Sequence, residues 1–167
     1  AYNALGNAHK TIRARFTTIC NPGDGNGVTL VIRDAIRAGQ VVGPNIVDAG
    51  RSISTTSGHM DAALGYREDF REVLHGHDNL CDSAESCRRA VRIQVGRGVD
   101  VIKIATTGGV NSQVGAGLGQ QMFSDEARAI VETARLYGKK VAVHAHGADG
   151  IKVALQAGVD SIEHGTM

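Results

Sequence analysis

The chain has 167 residues, 42% of them apolar and 21% charged, enough to bury one ordinary core, so a single domain is the expectation. A formal net charge of +1, with Lys and Arg scattered, leaves no basic face for nucleic acid or an anionic lipid surface. No run approaches the roughly 18 apolar residues of a spanning helix, which excludes a membrane partner of that kind.

The first residues, AYNALGNAHKTIRARF, lack the charged-then-apolar order of a signal peptide, although a longer parent could carry one. Cys20, Cys81 and Cys87 are an odd set without CxxC spacing and read as free thiols in a reducing, cytoplasmic setting.

In chain order, a helix is expected over about 3–13, a strand at RFTTIC, a helix at VTLVIRDAIRAG and a strand near PNIVDAGRSI. Residues 54–80 read mostly as loop. From Asp82 the pattern becomes regular, alternating helix, glycine and apolar strand as βα units on a parallel sheet do. Asp82 with Glu85 suggests a capping box for a helix to about Gly96, whose Cys87, Ala90, Val91, Gln94 and Val95 share a face, and Gly98 stops it. The strand VDVIKIAT follows, apolar on both sides of the pleat as a covered parallel strand should be. Ser124 is expected to cap the next helix, with Ala127, Ile130, Val131 and Ala134 inward, and Gly138 ends it before KKVAVHAH. A short helix, GADGIKVALQAG, then leads to a last strand, VDSIEHGT.

This gives about five strands and five helices. A (β/α)₈ barrel takes about 250 residues, so the expected fold is α/β, a partial TIM barrel holding about strands 2 to 6 and lacking the first and last. Residues 1–167 then read as one barrel fragment, cut at both ends.

Three ionisable side chains fall at or near the C-terminal ends of consecutive expected strands: Lys103 in VIKIAT, His144 in VAVHAHG and His164 in SIEHGT. Active sites of parallel barrels are built at that end. A lysine inside VIKIA is the least expected, because a buried ammonium costs several kcal/mol unless it is paired or altered. Carbamylation by CO₂ is one such alteration, and it makes an anionic oxygen ligand. Neutral histidines are natural companions in a site for zinc or a similar divalent metal.

VDVIKIATTGGV followed by VAVHAHGADGIKVALQAGVDSIEHGT resembles the amidohydrolase superfamily, in particular its imidazolonepropionase-like and prolidase-like branch. His144 comes 41 residues after Lys103 and His164 comes 20 residues after His144. RFTTICNPGD and GRSISTTSGHMD also look like segments of that branch, so the resemblance spans essentially the whole chain. It implies a binuclear divalent-metal site, with zinc as the metal, in which Lys103 is the carbamylated bridging ligand and His144 and His164 are further ligands. His144, not His146, is taken as the inward ligand, on its spacing to His164. His146 and His59 are assigned to the substrate side, and Glu163 is expected to point away from the ligands in structural pairing.

The implied reaction is hydrolysis of an amide or peptide C–N bond, a metal-bridging hydroxide attacking the carbonyl. Its substrates would be small-molecule amides, namely dipeptides, acyl amino acids or cyclic amides, which makes the parent a dipeptidase or cyclic amidase. The first-strand His-x-His pair and the last-strand aspartate, which shuttles the proton, are missing from this pattern. No catalytic residue is therefore assigned, and the fragment is expected to be inactive alone. His75 and His77 have the letters of such a pair but follow DFREVL, not a strand, and are set aside as a decoy. Arg15 stands where relatives tend to have glycine, and Cys20 where a charged residue is common.

Two rival readings follow from the same residues. One is a non-catalytic α/β module that binds a phosphate ligand through the glycine-rich loop from Gly108 to Gly119, although those glycines match neither a Walker loop nor a dinucleotide fingerprint. The other is self-association, or a completing chain, covering the open edges of an incomplete barrel.

Overall fold

The computed structural model describes residues 2–75, 78–112 and 117–167. Helix α1 (Tyr2–Arg13) leads into strand β1 (Thr18–Asn21), and α2 (Val28–Arg37) crosses over to β2 (Asn45–Asp48), which pairs in parallel with β1. After α3 (Glu68–His75) and α4 (Ala84–Gly96), strand β3 (Val101–Ala105) opens a second parallel set. It continues through α5 (Ser124–Leu136), β4 (Lys140–Ala145), α6 (Ala148–Ala157) and β5 (Ser161–His164), in the order β3-β4-β5. The fold is thus α/β, with parallel strands side by side in chain order.

The strand residues alternate between two environments because successive side chains point to opposite faces. Ile102 and Ile104 of β3, with Val141 and Val143 of β4, face the helices and join the main core with Cys87, Ala90 and Val91 of α4 and Ala127, Ile130, Val131 and Ala134 of α5. Each fully buried aliphatic side chain contributes about 1.5 to 3 kcal/mol. On the opposite face Val101 and Ala142 pack with Ala49 in a small inner cluster, and Lys103 lies on that face of β3.

The two strand sets are joined by a short parallel bridge and a charge clamp. Ile53 donates its N–H to Lys103 O (2.8 Å) and accepts from Ala105 N (3.1 Å), which inserts the segment after β2 alongside β3. One turn earlier, Asp100 N donates to Asp48 O (2.8 Å) while the Asp100 carboxylate accepts from Asp48 N (3.0 Å), Arg33 (2.8 Å) and Arg37 (3.1 Å). Burial alone would raise the Asp100 carboxyl, but the Asp48 N–H and the two guanidinium groups outweigh it and hold it below the ordinary carboxylate range.

Several expectations are corrected. Cys81 and Cys87 form a disulfide, because the first turn of α4 brings position 87 back over 81; only Cys20 is a free thiol. The step from free thiols to a reducing compartment falls with it. The cap of α4 is Ser83, not Asp82: its hydroxyl accepts from Ser86 N (3.2 Å) and Ser86 Oγ accepts from Ser83 N (3.0 Å). Asp82 instead holds Thr56 through its N–H (2.8 Å) and hydroxyl (2.6 Å). Phe123, not Ser124, occupies the cap position of α5, with its N–H donating to Glu126 (2.7 Å). Helix α3 occupies part of the expected loop; its Phe70 and Val73 are 54% and 72% exposed, so no buried stripe marks it in the sequence.

Asp100→Asn is expected to lower unfolding stability by roughly 1 to 3 kcal/mol in chemical denaturation, since it removes the charge that Arg33 and Arg37 share at this joint and leaves Arg33 with only Asp34 and the Gly98 carbonyl. Because the folded carboxyl is depressed, the wild-type advantage should be complete above about pH 4 and fade as pH falls through the folded value. A thiol reagent should label one cysteine in the native protein and all three after unfolding and reduction; labelling of three without reductant would contradict the disulfide.

Candidate metal centre

The parallel register decides which side chains meet. Lys103 is paired with Ala142, Ala105 with His144, His144 with Glu163 and Ala145 with His164. This puts the ends of β3, β4 and β5 around one cavity of about 670 Å³, lined among others by His59, Lys103, His144, His146, Glu163 and His164. All five residues singled out from the sequence are therefore brought together.

Lys103 is 3% exposed and forms an ion pair with Glu163. Burial pushes its ammonium below the ordinary lysine range, and the Glu163 carboxylate counters part of that. Glu163 is thus turned toward the cavity, contrary to the expectation that it points away. The reason is the register: Glu163 sits directly opposite His144 on the neighbouring strand and shares its face.

His144 and His146 both line the cavity, which corrects the assignment of only one of them inward. They are two positions apart, and a strand period of two puts such positions on one face. His144 is buried, its Nε2 donates to Gly108 O (3.1 Å), and its ring stacks on His59 at 4.1 Å between centroids. Desolvation pushes its imidazolium down to about 4, with His59, His164 and His146 adding to the effect against the Gly108 carbonyl, so the ring is neutral near pH 7. His146 meets the Thr166 hydroxyl through Nδ1 (2.8 Å), and its backbone N–H donates to Thr107 Oγ1 (3.1 Å).

His164 ends β5 with φ at 75°, a left-handed backbone that costs a non-glycine residue about 1 kcal/mol or more. This turn lets adjacent residues serve one cavity, Glu163 through the pleat and His164 through the bend. The ring nitrogens of His144, His146 and His164 offer ligand atoms that all lie within 4.8 Å of one another. Three imidazoles at that separation, one of them held neutral by burial, match the donor chemistry of a zinc-type site.

His59 is fixed from three sides. Its N–H donates to Gln121 (2.9 Å), its Nδ1 pairs with the Ser112 hydroxyl, and Gly109 lies against its ring. Burial lowers its imidazolium, helped by His146, His164 and Lys103. In the glycine-rich loop proposed for phosphate, residues 113–116 lie outside the described residues. Its two ends join through Gly108 N to Gly119 O (3.3 Å). Gly76, His77 and the side chain of His75 also lie outside the described residues.

A family model described as the amidohydrolase family matches residues 1–167. Ochratoxinase of Aspergillus niger is 38% identical over 144 residues, covering 80% of this chain and 30% of that protein. A Xaa-Pro dipeptidase structure with methionine bound in its active site superposes with a TM-score of 0.89 at 40% identity, over 97% of this chain and 40% of that one. A prolidase complexed with N-methylphosphonate-L-proline gives 0.79 at 30% identity, over 96% of this chain and 40% of that one. The chain therefore spans about 30 to 40% of the length of these relatives.

A methyl group at Gly109 would lie 2.2 Å from His59 Cε1, far inside van der Waals contact. Gly109→Ala is therefore expected to push His59 off His144, at a cost of about 1 to 3 kcal/mol. The check is NMR of the imidazole protons: both rings should shift together, and unchanged His144 resonances would contradict the stacking.

Proposed function

Because the chain belongs to the amidohydrolase family, we propose that it is part of a metal-dependent hydrolase of C–N bonds, acting on dipeptides or N-acylated amino acids. The observation that carries this reading is the group of three close imidazoles beside a buried lysine, at the C-terminal ends of parallel strands. In the intact enzyme His144, His164 and Lys103 serve as ligands of a zinc centre. His146 and His59 border the substrate, and residues 1–167 form about strands 2 to 6 of the barrel. A divalent ion in this site supplies Lewis-acid polarisation of a carbonyl and an activated water.

The chain's own residues prepare the site. Burial keeps His144 neutral, so its lone pair needs no proton removed first. The Gly108 carbonyl accepts from Nε2 and directs Nδ1 elsewhere, the orienting role that outer partners play for metal-bound histidines. Lys103 takes its ligand role as a carbamate, formed when its neutral amine adds CO₂ and loses a proton, and burial favours the neutral amine. The dipeptidase and prolidase neighbours, with methionine and a phosphonate-proline bound, support small amino-acid-derived substrates.

In the intact enzyme that carries this chain, hydrolysis of Xaa-Pro dipeptides or N-acyl amino acids should disappear with a chelator and return with zinc. His164→Ala should lower kcat/KM by at least about 100-fold. Hydrolysis indifferent to chelation, or no hydrolysis of either substrate class, would remove this reading.

A further inference from the structure

We infer that Ser112 is a positioning residue for the hydrolytic site. Its hydroxyl donates to Nδ1 of His59 and so fixes the proton of that ring on Nε2, where His59 presents an N–H donor to an oxygen of the bound substrate. The inference rests on the hydrolase reading above and adds to it a residue from the loop after β3.

The ring of His59 has little freedom of place. One face stacks on His144, with centroids 4.1 Å apart and planes at 25°. Its Cε1 edge lies against Gly109, where a methyl group would come within 2.2 Å of Cε1, 2.7 Å of Nδ1 and 2.8 Å of Nε2. The main chain is held as well: His59 N donates to Gln121 Oε1 (2.9 Å), Gln121 N donates to Thr106 O (2.8 Å), and Gln121 O accepts from Thr55 Oγ1 (3.2 Å). These contacts settle where the ring lies but still allow a flip about Cβ–Cγ, which exchanges Nδ1 with Cδ2 and Nε2 with Cε1. They also leave open which nitrogen carries the proton.

Ser112 makes both choices. Its Oγ accepts from Gly109 N (2.9 Å), which uses one lone pair, and it meets His59 Nδ1. A flipped ring would set a carbon there. If Nδ1 carried the proton of the neutral ring, the hydroxyl would accept twice and its own proton would have no acceptor among the described residues. Donation to a bare Nδ1 satisfies every group. The proton then sits on Nε2, which has no hydrogen-bond partner among the described residues, on a ring that borders the cavity of Lys103, His144 and His164.

The same turn also orients the ring beneath. Ser112 N donates to Gly109 O (3.0 Å), closing a turn just after β3, and Gly108 of that turn accepts from His144 Nε2 (3.1 Å). One short turn therefore sets two stacked rings, His144 through a carbonyl and His59 through a hydroxyl. A donor preset in this way costs no ordering when substrate binds. It acts on the bound substrate whether or not a bond is breaking, so its loss appears in KM more than in kcat.

The test combines kinetics and nitrogen-15 NMR on the intact, zinc-loaded enzyme that carries this chain. Ser112→Ala should raise KM for an Xaa-Pro dipeptide about 10-fold with kcat within about 3-fold, whereas Ser112→Thr, which keeps the hydroxyl, should stay within about 3-fold of wild type in both. In the imidazole spectra the His59 signals, assigned by their loss in His59→Gln, should show a protonated Nε2 and a bare Nδ1 in the wild type. Ser112→Ala should show a mixture of tautomers. A proton on Nδ1 in the wild type would overturn the inference, and that reading needs no variant of Ser112 to fold. A folded Ser112→Ala enzyme with wild-type KM, or with its loss in kcat alone, would overturn it too. If the wild type hydrolyses neither dipeptides nor N-acyl amino acids, the hydrolase reading falls, while the tautomer of His59 still decides the role of Ser112.

Discussion

The Asp100 carboxylate is the constraint on which the arrangement depends. It accepts from the backbone of β2 and from two arginines of α2, at the residue that leads into β3. Through it the β1-β2 unit is docked beside β3 in one register, and the adjacent Ile53 bridge continues that pairing upward to the level of Lys103. Since the cavity is lined by residues from both sides of this joint, including His59 and Met60 before it and Lys103 and His144 after it, a slip there would open the site. A charge-assisted network suits the task because it is directional, whereas apolar packing tolerates sliding.

A second constraint follows from the first. Parallel strands covered by helices leave one inner face, and this chain puts an ammonium, a carboxylate and three imidazoles there. The two opposite charges neutralise each other. The His144 imidazole avoids the cost of burial by remaining neutral. This face is costly for stability compared with an apolar one of equal volume, and such a cost is usual where binding or catalysis is built. The left-handed His164 belongs to the same group of local compromises. Arg15, with φ at 70°, is another left-handed residue, in a conformation that only glycine adopts without a steric penalty.

Most of the fold was legible because its elements carry strong periodic signals. The buried faces of α4 and α5 are the ones their spacing marks, and the glycines at 98, 138 and 158 adopt the left-handed conformation that ends each helix. Elements without such a signal were misread. Helix α3 exposes its apolar residues, and the caps of α4 and α5 depend on which of several adjacent polar residues the backbone presents. The Cys81–Cys87 disulfide escaped because its spacing matches no redox or metal motif and it forms only when a helical turn folds one cysteine over the other.

By itself the sequence determined the alternation of helix and strand, the family, and the gathering of Lys103, His144 and His164 at neighbouring strand ends, since all three follow from local pattern and spacing along one chain. Only the tertiary structure decided that Glu163 faces Lys103, that His146 joins His144 in the same cavity, and that His59 stacks against His144. Those contacts depend on strand register and on one left-handed residue at the end of β5, quantities set by hydrogen bonding between segments up to sixty positions apart and not encoded in any single window.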